Sequence, residues 1–144
     1  MIAEVSNQSL VRDLIALTKP SIAGLSMFMT VAGYLLAGGG DVITTLYALL
    51  GTAFIVGSAN ALNMAWEHDV DALMPRTAKR PIPMGRLSVK QATAFGLIWG
   101  VIGLALLFGG VNTLTGLVGI GALILYVLIY TPMKQRSPWA LIIG

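Results

Sequence analysis

Asn63, Glu67 and Asp71 recur at every fourth position, so a helix through this stretch lines them along one face and offers oxygen ligands there. That donor set suits a hard divalent cation such as Mg²⁺, which takes one or two carboxylates and completes its shell with waters and phosphate oxygens. Arg76, Lys79 and Arg80 follow directly and can hold a polyanion beside the metal, arginine through two parallel hydrogen bonds to a phosphate. A cation bridging a diphosphate turns it into a leaving group, because it neutralises charge that develops on the departing oxygen. Long apolar runs on both sides of the cluster would shelter a carbocation and a hydrocarbon tail from water. Together these parts point to transfer of a prenyl group from a prenyl diphosphate.

The elements that position this cluster follow from composition. The 144 residues are 56% hydrophobic and only 10% charged, too few charges to clothe a water-soluble domain. The expected fold is all-α, a polytopic transmembrane helix bundle formed as a single membrane domain over residues 1–144. Uncharged runs cover residues 20–40, 42–66 and 91–133, and at about 1.5 Å rise per residue the first two each reach the roughly 30 Å of hydrocarbon. The third has room for two spans, with the glycine-rich and polar stretch 109–116 as the turn between them. Spans are therefore expected near 20–38, 42–65, 91–108 and 113–131, with residues 63–90 as the motif loop. Pro75, Pro81 and Pro83 forbid a continuous helix through the basic segment, and Ser88 is placed to cap the next helix. Residues 1–17 are expected as an amphipathic surface helix with Val5, Leu10, Leu14 and Leu17 on one side. After Pro138 a fresh apolar run reads as the start of a fifth span in a truncated chain.

The net charge of +3 says less than where the charges lie. Lysine and arginine gather at residues 12–19, 76–90 and 134–136 and are missing from the glycine hairpins near 39 and 110. Basic residues concentrate on the cytoplasmic side, so both chain ends and the motif loop are expected there, with Arg86, Lys90 and Arg136 as topology anchors. Bases scattered at span ends also argue against nucleic-acid binding. The absence of cysteine excludes disulfides and thiolate metal sites. The first 17 residues fit neither a transit peptide nor a secretory signal, and a bacterial inner membrane is the simplest home.

Asn63, Glu67, Asp69, Asp71, Met74, Arg76, Thr77, Arg80 and Pro81 form a pattern that resembles the protoheme IX farnesyltransferase (heme O synthase) family of UbiA-type intramembrane prenyltransferases. Residues 17–20, LTKP, and 130–138, YTPMKQRSP, resemble that family's entry to its first helix and its link between the fourth and fifth. The resemblance covers the whole chain. It implies a nine-helix fold around a central cavity, of which these residues would be the N-terminal part, with a second acidic motif in later helices. It further implies farnesyl diphosphate and heme B as substrates, Mg²⁺ as cofactor, the bilayer as surroundings, and association with heme A synthase or oxidase assembly machinery. By the same resemblance Asn63, Glu67 and Asp71 bind Mg²⁺ and diphosphate, Arg76, Lys79 and Arg80 contact the diphosphate, and Tyr130 and Lys134 reach the cavity mouth. The pattern departs from the family at Pro75 and His68.

Other readings compete. Another aromatic-acceptor UbiA-type prenyltransferase would share the acidic face, although the R-T-x-x-R-P segment argues against it. A transport or assembly subunit would also carry charges at a span end, but transport places its polar residues near mid-membrane. Asp69 lies off the acidic face and is expected to pair with a nearby base, and His68 reads as a solvated interfacial side chain. Lys19 is either an anchor or a substrate contact.

Overall fold

Pro20 decides where the first helix ends, because a proline disfavours helical backbone at the residue before it. In the computed structural model, which describes residues 2–136, Lys19 takes φ 49° and ψ 72°, the one positive φ at a non-glycine residue among those described. Helix α1 (Ile2–Thr18) stops there and α2 (Pro20–Leu36) starts with proline at its first turn, where its missing N–H costs nothing. The chain bends by 47° at this joint.

The described residues contain no strand. Helix α3 (Val42–Trp66) is capped by Asp41, whose carboxylate accepts from the Thr44 hydroxyl and amide, each at 2.7 Å, and these bonds hold the Asp41 carboxyl below the usual carboxylate range. A short α4 (His68–Leu73) continues from it, and turns occupy residues 74–88. Helix α5 (Val89–Gly110) opens with a capping box in which Ser88 and Gln91 satisfy each other's backbone amides. Asn112 caps α6 (Thr113–Leu123) in the expected turn, and the helix widens to a π-helical segment, Ile124–Tyr130, before α7 (Thr131–Arg136).

Among the described residues three stretches are long and apolar enough to cross a membrane, namely α3, α5 and Thr113–Lys134. The expected first span is different. Helix α2 has only 17 residues, about 25 Å at 1.5 Å each. It reaches spanning length only when counted with residues 9–18 of α1 as one bent span. The chain is a multi-pass membrane protein with a helical bundle fold. Expectations for residues 137–144, including the start of a fifth span, lie outside the described residues, as does the Val5 side chain.

Helices α3 and α5 form the closest pair, and glycine is the reason. A Cβ on Gly96 would stand 2.8 Å from Leu62, one on Gly100 2.8 Å from the Ser58 hydroxyl, and one on Gly103 3.0 Å from the Ile55 backbone nitrogen. Small residues at such spacing let helix backbones approach where lipid provides no hydrophobic drive. The Ser58 hydroxyl then donates to the Gly96 carbonyl at 2.6 Å across the interface. At the end of the bundle that carries the motif, Leu17 of α1, Ala61, Met64 and Ala65 of α3, Ala92 of α5 and Ile82 and Leu87 of the turns form a buried core. Leu14 packs on it, while Leu10 faces outward, so the apolar side of α1 is narrower than its sequence suggests. The turn segment is thus plugged into the bundle by Ile82 and Leu87. Replacing Gly103 with leucine should cost about 1–3 kcal/mol of stability by overpacking. Gly24→Leu, where nothing lies within 4 Å, should cost little. Unfolding curves in mild detergent test the difference.

Candidate functional site

The acidic face survives a break in the helix. Glu67 sits between α3 and α4 with ψ 6°, yet its amide still donates to Asn63 O at 2.9 Å and its carbonyl accepts from the Asp71 amide at 2.8 Å. The i to i+4 ladder therefore runs through the joint, and Asn63, Glu67 and Asp71 stay in line. All three are buried, at 2%, 5% and 4% exposure. They point into the protein and away from lipid.

Buried carboxylates require partners, and the rest of the chain delivers them. Arg80 donates to Asp71 Oδ2 at 2.7 Å. Thr77, three residues earlier on the same turn, is buried and donates its hydroxyl to the Asp71 carbonyl at 2.8 Å. The T-x-x-R spacing thus grips one aspartate at its backbone and its side chain together. Lys134 of α7 lies 3.5 Å from Glu67 Oε1, and Asn63 Nδ2 donates to Glu67 Oε2 at 3.0 Å. Thr131, fully buried, shares one hydroxyl hydrogen between Asn63 Oδ1 and Tyr126 O, each at 2.8 Å. The π-helical widening before Thr131 sets the register that turns Thr131 and Lys134 to this face, in keeping with the tendency of such segments to fall at functional sites.

Of the residues expected at the site, the structure brings together Asn63, Glu67, Asp71, Arg80 and Lys134. Tyr130 stacks on Tyr126 with ring centroids 5.4 Å apart, and both line an apolar cavity of about 370 Å³ with Ile22, Ile55, Val56 and Leu123. Asn60, one turn before Asn63, lines it too, so the cavity abuts the acidic face. Arg76 and Lys79 do not join the cluster. Both are exposed and line a different cavity, between α1 and the turns. Asp69 is almost fully exposed and pairs with His68 at 3.1 Å, a surface contact of little energetic weight. Arg86 does more than anchor the chain, since its Nε donates to Asp13 of α1 at 3.1 and 3.2 Å. Lys19, whose role was open, lies within electrostatic reach of Arg80, Lys134, Glu67 and Asp71.

The parts missed in the sequence are Thr131, the role of Thr77, and the Asp13–Arg86 pair. Thr131 carried one signal, its place between Tyr130 and Pro132 at the end of an uncharged run. Among the described residues no three histidine, aspartate or glutamate side chains converge. What the chain offers a metal is two carboxylates and an amide oxygen, a set that Mg²⁺ accepts when waters and phosphate oxygens complete it.

Comparison with known proteins places the chain in a family. Residues 26–144 match the UbiA prenyltransferase family. A protein named protoheme IX farnesyltransferase from Rhodopirellula baltica is 42% identical over 133 residues, covering 91% of this chain and 46% of its own length. One of the same name from Myxococcus xanthus is 43% identical over 133 residues, with 92% and 45% covered. Another from Thermus thermophilus is 40% identical over 130 residues, with 89% and 21% covered. The chain thus spans about half the length of the first two of these relatives, or less. No solved structure matches significantly. Since the family match runs over most of the chain and takes in the whole acidic face with Arg80 and Lys134, the chain belongs to the UbiA prenyltransferase family.

Proposed function

We propose that this chain carries the diphosphate-binding part of a Mg²⁺-dependent prenyltransferase that moves the farnesyl group of farnesyl diphosphate to heme B and so makes heme O. One observation carries the reading: the buried row Asn63, Glu67 and Asp71 meets Arg80 and Lys134 beside an apolar cavity. Relatives named protoheme IX farnesyltransferase support the choice of acceptor and of a prenyl donor.

Mg²⁺, held by Asn63, Glu67 and Asp71, would supply charge neutralisation for the departing diphosphate. Arg80 and Lys134 share that task, since a diphosphate entering the row offers them a stronger anion than the carboxylates they now face. As the C1–O bond of the donor breaks, its electron pair leaves with the diphosphate. Tyr126 and Tyr130 stand at the cavity wall, where aromatic rings favour an allylic cation. The vinyl π electrons of the heme then form the new carbon–carbon bond to C1. Water adds to the neighbouring vinyl carbon and loses a proton, leaving the hydroxyethylfarnesyl group. The apolar lining keeps water from C1 until that bond has formed. Charge distribution supports a cytoplasmic side for both chain ends and the motif loop 63–90, and a bacterial inner membrane is the simplest home for such a protein.

Membranes carrying the chain, and membranes carrying it extended to the length of its relatives, can be given heme B, farnesyl diphosphate and Mg²⁺ and their extracted hemes analysed by mass spectrometry. Glu67→Gln and Asp71→Asn should each lower heme O formation by about 10²-fold or more, as loss of a preorganised electrostatic group does; near-normal product from both would refute the role. Arg80→Ala should weaken binding of farnesyl diphosphate about tenfold, the worth of one charge-assisted hydrogen bond. Unchanged affinity would remove Arg80 from the site. Thr131→Val leaves the Asn63 carbonyl without its donor and should cost about 1–3 kcal/mol of stability, while Thr131→Ser should retain it. Equal stability of the two variants would show that the bond has no holding role.

A further inference from the structure

Two of the bases beside the acidic face are spoken for, Arg80 by Asp71 and Arg86 by Asp13. Three more, Arg12, Arg76 and Lys79, make no ion pair among the described residues. All five line one cavity of about 580 Å³ between α1 and the turns, together with Met64 and Pro81. None of Asn63, Glu67 and Asp71 lines it. It touches the acidic face only through Arg80, which lines it and also bonds to Asp71.

Bases at a membrane interface usually point outward into water or lipid headgroups. These converge on a concavity, and its two walls are fastened together. The Asp13–Arg86 pair ties α1 to the turns, and Leu17, Ile82 and Leu87 lock both into the common core. A concave site with three unneutralised cations, and with Ala16, Met64 and Pro81 in its lining, suits an anion with more than one charge and an apolar body.

We propose that this cavity binds the two propionate carboxylates of the porphyrin acceptor, with Arg76 and Lys79 as the main contacts and Arg12 assisting from α1. The proposal rests on heme B being the acceptor. A diphosphate must reach the metal row, where Arg80 and Lys134 already stand, whereas Arg76 and Lys79 belong to the neighbouring wall. In protoporphyrin the propionates leave one side of the macrocycle and the vinyl groups lie across it. An anchor at this polar rim therefore leaves a vinyl group free to turn toward the donor. Arg80, common to both sites, sets their separation.

Absorbance titrations of the chain in nanodiscs of neutral lipid, with heme B and with its dimethyl ester, test this without requiring turnover. The wild-type chain should prefer the free acid by about tenfold or more, the effect of one lost charge-assisted contact, and Arg76→Gln/Lys79→Gln should reduce that preference to about twofold. A circular dichroism spectrum like that of the wild type shows that the variant is folded. If acid and ester bind the wild-type chain equally, the proposal falls and prenyl transfer to heme stands. If neither porphyrin binds, the proposal falls and heme as acceptor is called into question with it. An unchanged preference in the variant, with loss of phosphatidylglycerol enrichment around it in mixed-lipid discs, would assign the cavity to a lipid headgroup and overturn the proposal.

Discussion

A carboxylate cannot be left unpaired at the end of a membrane-spanning helix, and Glu67 and Asp71 are answered from two remote parts of the chain. Arg80 comes from the turns after α4, and Lys134 comes from α7 at the far end of another span. The remaining architecture serves this double convergence. The proline-broken turns fold back over α4 because Ile82 and Leu87 have a core to enter. The π-helical segment resets the register of the last described span so that Thr131 and Lys134 arrive on the side facing Asn63 and Glu67.

Cations that pair buried carboxylates in the absence of substrate are also the groups that a diphosphate needs. In the proposed reading Glu67, Asp71 and Asn63 would hold the metal, and Arg80 and Lys134 would turn from carboxylate to phosphate. Asn63 differs from its neighbours because its carbonyl is fixed by Thr131 and its amide by Glu67, so it orients the row without carrying charge. Beneath this polar rim the tight α3–α5 packing supplies a rigid back wall, and the looser space among α2, α3 and the π-helical segment supplies the apolar cavity.

Local chemistry was legible in the sequence and long-range pairing was not. The i, i+4, i+8 spacing gave the acidic face, and the cap at Ser88 and the turn within residues 109–116 follow from residue types within a few positions of each other. The bend at Lys19 was present in the Lys-Pro pair, although its left-handed backbone was not expected. By contrast, Thr131 and Asn63 are 68 residues apart and Asp13 and Arg86 are 73 apart, and no periodicity connects such pairs. The run of three bases looked like one group. Only the folded turns show that Arg80 bonds to Asp71 while Arg76 and Lys79 stay on the wall of another cavity that Arg80 also lines.

In the proposed function one buried face of α3 and α4 holds a metal-bridged diphosphate at the rim of an apolar chamber. Mn²⁺ in place of Mg²⁺ tests it most directly, read by electron paramagnetic resonance on the chain in nanodiscs with farnesyl diphosphate added. Bound Mn²⁺ should appear only when the diphosphate is present and should vanish when Glu67 and Asp71 are both converted to their amides. Retention of wild-type Mn²⁺ binding in that doubly neutral chain would contradict the account.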